Sequence, residues 1–380
     1  SLKRMSCLRR RFHFFRTPEK RALARVISLF LAGASWFTVI ALWLCALSPY
    51  VDRRQFGAAA AYALLFPLFL GGTVGMAVLC LVFAPRRVWI PLFGLLLCSG
   101  SIRTYAPINL NRGSSGGVAS GEIPGMSYNR RGFGLTESGR AELSPYMIAS
   151  GAQIIAFQEG MGSLEQNKEL VARLKGTGTP HYKCYNAGSE CLGLISKFPV
   201  TDAQLICRSG GNIVVAFWLK VPNERPWIVV NCHLRSNALT FDERGQFSQW
   251  TKTGQSSDSS AWQRRLYNKI KLAAAARADM VDTLSRFVDA RRGQVKFICG
   301  DFNDTPISSA RRRLVELGFR DAFRAAGNGI SRTFNRDAMY VRIDHVLADP
   351  TFVPVEAHVD NGVDLSDHYP LIATFRRSQP

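Results

Sequence analysis

The sequence predicts an α/β (α+β) fold, a two-layer β-sandwich flanked by helices, preceded by a helical transmembrane region. Two long uncharged runs near the start of the chain predict the membrane region. Beyond residue 122, short runs rich in β-branched and aromatic residues alternate with polar and helical stretches. Polar side chains follow several of these runs directly, which is typical of functional loops at one edge of a sheet.

The membrane region is predicted to contain three helices, over residues 26–47, 57–84 and 88–104. The first run has 22 residues without a charge, enough to cross about 30 Å of hydrocarbon. The second is rich in Gly and Ala, and Pro67 predicts a kink in it. The third is shorter and contains Pro91. The alternative, a buried soluble hairpin, is disfavoured by two neighbouring uncharged runs of this length.

Charge predicts the orientation of these helices. The chain has a formal net charge of +20, and nine Lys and Arg residues precede the first run. The loop after that run carries only Arg53 and Arg54, beside Asp52. Cytoplasmic segments are the positive ones, so residues 1–25 are predicted to form a basic cytoplasmic N-terminus in the inner (cytoplasmic) membrane. Three crossings then place the following domain outside the cytoplasm, whereas two crossings would place it inside.

The rest of the chain is predicted to be a linker and one folded domain. Residues 105–121 are Gly/Ser-rich and nearly uncharged, as in a flexible linker, and residues 122–377 form the domain. Apolar runs predict strands at 153–158, 192–196, 212–221, 227–234, 295–299, 342–347 and 369–375. Amphipathic patterns predict a long helix over 262–291 and a shorter one over 308–317.

Acidic, amide or imidazole groups stand at the ends of five of these runs. They are Glu159, His233, Asp301 with Asn303, Asp344 with His345, and Asp367 with His368. One such group is usually a cap or turn residue, but five clusters are harder to explain in that way. Carboxylate and amide oxygens suit Mg²⁺, and histidine can donate to a phosphate or accept a proton from water. The pattern predicts metal-assisted attack on phosphorus.

Other chemistries find little support. The GxxxxGK[ST] phosphate loop is absent, and no cysteines are spaced as CxxC for zinc. Cys184 and Cys191 flank a probable hairpin turn and could form a disulfide if the domain is extracytoplasmic.

Six motifs together resemble one protein family. The chain contains SYN at 127–129, FQE at 157–159, NCHL at 231–234, GDFND at 300–304, RIDHVLAD at 342–349 and SDHYPL at 366–371. Their order and approximate spacing resemble the endonuclease/exonuclease/phosphatase superfamily over about 250 residues. The resemblance implies a DNase I-like fold and a membrane-anchored, bacterial-type member with a Mg²⁺ cofactor, for which Mn²⁺ is possible.

The resemblance also implies a set of metal-binding and proton-transfer residues. Glu159 would be the main metal ligand, helped by Asn129, and Asp367 would complete the metal region. Asp301 would position or deprotonate the attacking water. His368 would face the scissile phosphate.

Three further roles are implied by the same motifs. Asp344 would orient the histidine of SDHYPL, Asn303 would contact the phosphate, and His233 would donate to a phosphate oxygen. Arg131 departs from the pattern, because nuclease members often carry an acidic residue there; this weakens the nuclease analogy. His345 is either a supporting partner of the site or, as we favour, an ordinary strand residue.

Three functions remain open at this point. The first is hydrolysis of a phosphodiester or phosphomonoester, plausibly a lipid or lipid-linked phosphate, because the predicted helices would hold the site near a bilayer. The second is a membrane-bound nuclease acting on DNA or RNA, and the third is a non-catalytic binding protein. The implied partners are the lipid bilayer and a phosphate-ester substrate, without an obligate protein partner.

Overall fold

The computed structural model describes residues 18–109, 119–131, 145–160, 164–188, 190–237, 243, 245–246, 259–336 and 341–378. The chain divides into two compact units. The first comprises the chain up to Leu47 together with Leu64–Ile102, and the second comprises Ser48–Ala63 and the chain from Arg103 onward. Of the predicted linker, residues 110–118 lie outside the described residues.

The N-terminal helices are α1 (Pro18–Leu47), α2 (Ala58–Phe83), α3 (Trp89–Leu97) and α4 (Ser99–Tyr105). Two helices, α1 and α2, are long and apolar enough to cross a membrane, and Pro67 lies inside α2. The pair α3 and α4 is bent by 64° and counts as a further span only if both helices are taken together.

The surface of these helices suits lipid. Large apolar side chains such as Phe30 and Leu96 are each 73% exposed, and several others along α1 to α3 are also exposed. An apolar surface of this extent is unusual for a water-soluble protein and marks a membrane or protein contact.

The second unit contains twelve strands among its described residues. They are β1 (Ile123–Asn129), β2 (Ile154–Gln158), β3 (His181–Asn186), β4 (Cys191–Ser196), β5 (Val200–Ser209), β6 (Asn212–Leu219), β7 (Trp227–His233), β8 (Val295–Asp301), β9 (Arg320–Asp321), β10 (Asp344–Ala348), β11 (Phe352–Val359) and β12 (Leu371–Arg377). The seven strands predicted from apolar runs are confirmed as β2, β4, β6, β7, β8, β10 and β12.

The strands form two mixed six-stranded sheets. One has the order β11-β12-β1-β2-β4-β3, and the other has the order β5-β6-β7-β8-β10-β9. Only the central pairs β1–β2 and β7–β8 are parallel; the other neighbours are antiparallel. The two-layer sandwich predicted from the sequence is confirmed.

The core lies between the sheets and under the flanking helices. The sheets bury apolar side chains such as Leu194, Phe217 and Phe375 against each other. The helices of this unit are α5 (Leu164–Leu174), α6 (Ser259–Asp289), α7 (Ser309–Glu316) and α8 (Ala322–Ala326). The predicted helices 262–291 and 308–317 correspond to α6 and α7. Both α6 and α7 pack on the outer face of the second sheet, where Leu284 and Leu314 are fully buried.

Two further features concern a hairpin of the first sheet and the loop between α1 and α2. Cys184 and Cys191 form a disulfide across the β3–β4 hairpin, with their Cα atoms 6.5 Å apart. The segment Ser48–Gly57, which joins α1 to α2 and is called the interhelix loop below, packs within the second unit. Its Arg53 is 1% exposed.

Candidate active site

The strand register brings the polar side chains to one edge of the sandwich. Asn129 pairs with Gln158 at the ends of the parallel strands β1 and β2. His233 pairs with Asp301 at the ends of β7 and β8, and Asp301 also pairs with Asp344 at the start of antiparallel β10. Ends of parallel strands and starts of antiparallel ones lie at the same edge, so these groups meet there.

Buried amides join the two sheets beneath this edge. Asn231 Nδ2 donates to Phe157 O at 2.9 Å and to Gly193 O at 3.0 Å, and both acceptors are in the opposite sheet. Gln158 Nε2 donates to Asn231 Oδ1 at 2.7 Å. Buried, hydrogen-bonded amides specify one arrangement of the sheets, because a shift would leave polar groups without partners.

Asp301 is the centre of the site. Its carboxylate accepts from Asn129 Nδ2 at 3.1 Å and from the backbone of Asn303 at 2.8 Å. Its Oδ2 lies 3.7 Å from His233 Nε2 and 3.8 Å from His368 Nε2. Burial and then the charge of Asp344 raise the pKa of Asp301 above its ordinary value. A carboxylate with a raised pKa is a better proton acceptor.

Each of the two imidazoles is held by its own carboxylate. His368 Nδ1 donates to Asp344 Oδ2 at 2.8 Å, and the ring of Phe334 packs edge-on against it. Burial opposes a charge on His368, but Asp344 and Asp301 outweigh burial and raise the pKa of His368 to about 10. The ring is therefore protonated at neutral pH, with Nε2–H facing Asp301.

The second pair was not predicted from the sequence. His233 Nδ1 donates to Glu190 Oε2 at 2.7 Å. Burial again opposes the charge, but Glu190 and then Asp301 outweigh it and raise the pKa of His233 to about 9. The other oxygen of Glu190 accepts from the backbone N–H groups of Glu159 and Cys191, each at 3.1 Å. Glu190 thus positions both an imidazole and the backbone of Glu159.

The backbone is strained at two of the predicted site residues. Glu159 and Asn303 each have φ of 51°, a left-handed conformation that non-glycine residues rarely adopt. Such residues cluster at functional sites, where the surrounding structure holds them in place. Asn303 is held by its own side chain, whose Nδ2 donates to Leu234 O at 3.0 Å. Glu159 remains partly exposed, and its Oε1 accepts from Asn129 Nδ2 at 3.0 Å.

The backbones of β7 and β8 approach so closely at the glycine of GDFND that no other residue fits there. Gly300 has φ of 133°, and a Cβ there would lie 2.0 Å from Cys232 O in the neighbouring strand. Any other residue would push β8 away from β7 and displace the adjacent Asp301.

Asp367 joins the site through two neighbours. Its Oδ2 pairs with Arg131 Nη1 at 3.1 Å, and its Oδ1 lies 3.4 Å from Ser366 Oγ. The one proton of that hydroxyl is donated to Asn129 O at 2.8 Å, the shorter of the two contacts. The positively charged guanidinium of Arg131 thus lies beside the carboxylate of Asp367.

His345 has a different environment from the other histidines. It is fully buried, its ring packs on Phe302, and its Nε2 donates to Asp304 O at 3.1 Å. Burial and then the charge of Arg342 lower the pKa of His345 to about 4. The ring is neutral and supports the segment after β8, which fits a supporting partner of the site better than the ordinary strand residue favoured from the sequence.

The structure links all eight predicted site residues into one network. Direct contacts connect seven of them, and Ser366 connects Asp367. Glu190, Arg131 and Ser366 extend the network beyond the residues chosen for it. Glu190 lies just before the antiparallel strand β4, in a segment that resembles an ordinary hairpin turn and matches none of the six motifs.

The donor set fits a divalent cation. Asp301, Asp344 and His368 bring ligand-type atoms within 4.8 Å of one another, but His368 is protonated, so the atoms open to a cation are carboxylate oxygens. Asp344 Oδ1 is buried without a hydrogen-bond partner among the described residues, and Asn129 Nδ2 joins the carboxylate of Glu159 to that of Asp301. Buried carboxylate oxygens are stable when paired with a cation.

Two protein-family models match different parts of the chain. The endonuclease/exonuclease/phosphatase family model matches residues 126–368, and a domain of unknown function (DUF8431) matches residues 27–105. No curated protein matches.

Solved structures with a similar fold include three from different sources. An endonuclease/exonuclease/phosphatase from Beutenbergia cavernae is 16% identical with a TM-score of 0.47, covering 68% of this chain and 72% of that one. The human Nocturnin catalytic domain is 15% identical with a TM-score of 0.47, covering 68% and 95%. A mannosyl-6-phosphatase from Bacteroides thetaiotaomicron is 14% identical with a TM-score of 0.45, covering 67% and 99%. Because the family model spans more than half of the chain, the chain belongs to the endonuclease/exonuclease/phosphatase family.

Proposed function

We propose that the chain is a membrane-anchored, divalent-metal-dependent phosphoesterase acting on a lipid or lipid-linked phosphate. The observation that carries the proposal is the placement of the Asp301 carboxylate between two imidazoles, 3.7 and 3.8 Å away. Each imidazole is held by a buried carboxylate. Two protonated donors flanking one proton acceptor suit in-line attack of water on phosphorus.

In this proposal Asp301 acts on the attacking water, and His368 acts on the phosphoryl group. The raised pKa of Asp301 lets the carboxylate accept a proton from the attacking water. His368 carries its proton at neutral pH and donates a hydrogen bond to a phosphoryl oxygen. Asp344 keeps the imidazole charged and oriented, in the way that a buried carboxylate orients histidine in other hydrolases.

His233 and Asn303 bind the phosphate in the same proposal. His233 is also protonated at neutral pH, so its Nε2–H can offset charge that develops on phosphorus. The amide of Asn303 is anchored to Leu234 O and held next to Asp301 by its own backbone N–H.

Glu159, Asn129 and Asp367 are the residues that we propose hold the metal. Bound Mg²⁺, or Mn²⁺ in the same oxygen-rich set, would polarise the phosphoryl oxygen and favour ionisation of the attacking water. Asn129 now turns its amide nitrogen toward Glu159 and Asp301. Ligation through its oxygen therefore requires the amide to rotate by half a turn. Asp367 is partly neutralised by Arg131.

The membrane helices support a lipid or lipid-linked substrate. Two apolar helices precede the domain, and the interhelix loop belongs to the same compact unit as the site. A site held at the bilayer meets lipid headgroups at a high effective concentration. Since the interhelix loop follows the first span, we also propose that the domain lies on the side opposite to the N-terminus, outside the cytoplasm.

The experiment that tests the proposal is hydrolysis by the full-length protein in detergent micelles. The panel contains phospholipids, sphingomyelin, inositol phosphates, plasmid DNA and RNA, each with Mg²⁺, with Mn²⁺ or with EDTA. Glu159→Gln and His368→Ala test the site. Glu356→Gln and His358→Ala are matched controls, because these two side chains form an exposed pair on β11.

The outcomes separate the candidate functions. Cleavage of a lipid that EDTA and both site variants abolish, with both controls active, supports the proposal. Cleavage of DNA or RNA that collapses with added salt favours the nuclease, because binding to a polyanion is salt-dependent. A folded protein that binds no metal and cleaves nothing favours a binding protein instead.

A further inference from the structure

The interhelix loop inserts a buried arginine next to the candidate active site. Arg53 is 1% exposed, and its Nη1 pairs with the carboxylate of Asp304, which is 4% exposed. Asp304 is the last residue of GDFND and lies three residues after Asp301. Arg53 and Asp304 are 251 positions apart in the chain, so this contact joins the loop between two membrane helices to the segment that carries the site.

A second arginine already neutralises Asp304. Arg277 on α6 is 3% exposed, and its Nε lies 3.3 Å from Asp304 Oδ2. Its Nη1 is held by Arg235 O at 2.8 Å and by Asn237 Oδ1 at 3.0 Å. One carboxylate therefore faces two guanidinium groups, which leaves an excess positive charge in the interior.

Arg53 is costly to bury in this arrangement. Its Nε and Nη2 have no hydrogen-bond partner among the described residues. Buried charges are destabilising unless they are fully paired, and the pairing of Asp304 does not require a second cation. An arginine buried under these conditions contributes little to stability, which points to another role.

Asp304 links Arg53 to the segment that carries the site through three contacts. Its Oδ1 accepts from Thr305 N at 3.0 Å, and its carbonyl oxygen accepts from His345 Nε2 at 3.1 Å. The preceding Asn303 is in a left-handed conformation, which persists only when its surroundings hold it. A fixed Asp304 keeps the strained residue beside Asp301.

Neighbouring contacts hold the interhelix loop against the domain. Arg54 Nη1 donates to Asp282 Oδ2 at 2.8 Å and to Asp279 Oδ1 at 3.2 Å on α6. The guanidinium of Arg312 on α7 lies 3.9 Å from the centre of the Tyr50 ring. These contacts are exposed or partly exposed, so each contributes little and the loss of one leaves the loop in place, whereas Arg53 reaches the interior.

We propose that Arg53 is a positioning residue of the active site, acting on the segment 301–305 through Asp304. The interhelix loop is then part of the catalytic apparatus. The catalytic part of this inference rests on the proposed phosphoesterase function. The effect of Arg53 on the mobility of residues 301–305 does not depend on the substrate.

The test compares full-length variants in detergent micelles. Arg53→Met, Asp304→Asn and the double variant remove the pair from either side, and Arg54→Gln is the control from the same loop. Two quantities are measured: kcat and KM on the panel substrate cleaved fastest, and hydrogen exchange of the amides 301–305. Strand β6, which is almost entirely buried, serves as the internal reference for exchange.

In the Arg53 and Asp304 variants, the amides 301–305 should exchange faster, with those of β6 unchanged. Their kcat should be lower by about tenfold to hundredfold, because displacements of about 1 Å have effects of this size. KM should change by less than about twofold, because the substrate contacts remain. The double variant should be no worse than the poorer single variant, because both changes break one contact. Arg54→Gln should match the wild type.

Three outcomes would overturn the proposal. They are unchanged exchange in 301–305 in folded Arg53→Met, equal losses of kcat in the Arg53 and Arg54 variants, and additive losses in the double variant. If Arg53→Met does not fold, Arg53→Lys takes its place, because one ammonium cannot reproduce the guanidinium geometry. If the wild type cleaves nothing in the panel, the proposed function fails, while the exchange comparison still decides the role of Arg53.

Discussion

Replacing Asp344 by asparagine tests how the charge on His368 is maintained. Asp344 is fully buried and accepts from His368 Nδ1 at 2.8 Å, and the pKa of His368 is about 10 instead of 6.5. That difference corresponds to about 5 kcal/mol in favour of the protonated ring. Asp344 is the main group that raises the pKa of His368 against burial, so Asp344→Asn should lower that pKa.

The consequence is a change in the pH profile of kcat. The wild type keeps His368 protonated up to about pH 10, so its alkaline limb lies beyond pH 9. In Asp344→Asn the limb should move down into the assayed range, so kcat should fall by about tenfold for each pH unit above the lowered pKa of His368. The assay uses the panel substrate cleaved fastest, with saturating Mg²⁺, between pH 6 and 9.5.

A matched control separates this effect from general damage. Asp349 is also buried, at the other end of the same strand, and pairs with Lys296 at 3.4 Å. Asp349→Asn should leave the pH profile unchanged, whatever its effect on stability. A large loss of kcat in Asp344→Asn with an unmoved alkaline limb would refute the reasoning, because Asp344 would then act without changing the charge of His368.

Three further changes test other parts of the site. Glu190→Gln should lower the pKa of His233 from about 9 and so reduce kcat more strongly at pH 8 than at pH 6; equal reductions at both pH values would count against it. Arg131→Gln should lower the Mg²⁺ concentration for half-maximal activity by up to about fivefold, because its pair with Asp367 is partly exposed and worth at most about 1 kcal/mol. His345 has a pKa lowered to about 4, so only the unfolded chain gains its proton between pH 6.5 and 4. About 3 kcal/mol of stability should be lost over this window, and His345→Asn should remove that loss, which melting temperatures at pH 7 and pH 4.5 would detect.

The sequence was most informative where burial alone determines the structure. The runs around Phe157, Val229 and Phe297 are apolar on both faces, as central strands covered on both sides must be. Strands β3 and β5 are only partly buried over most of their length and were not predicted. Their positions depend on pairing with β4 and β6, and such long-range pairing leaves little trace in the local sequence.

The same distinction applies to the site. Asp301 ends an apolar run, His368 lies just before one, and the family motifs name both directly. Glu190 lies before its strand instead of after it, in a segment that resembles an ordinary hairpin turn. Arg53 lies in a short loop whose charges served only to predict membrane orientation. Both become visible only when the sheets and the loop are brought together.

The orientation of the domain is supported by features of different physical origin. The charge count predicts where the N-terminus lies, because basic segments remain cytoplasmic. Packing of Arg53 against Asp304 requires the interhelix loop and the domain to share one side of the membrane. Together they support the proposal that the domain lies outside the cytoplasm, an oxidising compartment that would suit a disulfide between Cys184 and Cys191. A cytoplasmic domain would require either the nine basic residues of the N-terminus to lie outside the cytoplasm or the buried Arg53–Asp304 pair to be broken. The proposed orientation in turn requires the bent pair α3–α4 to return the chain across the membrane.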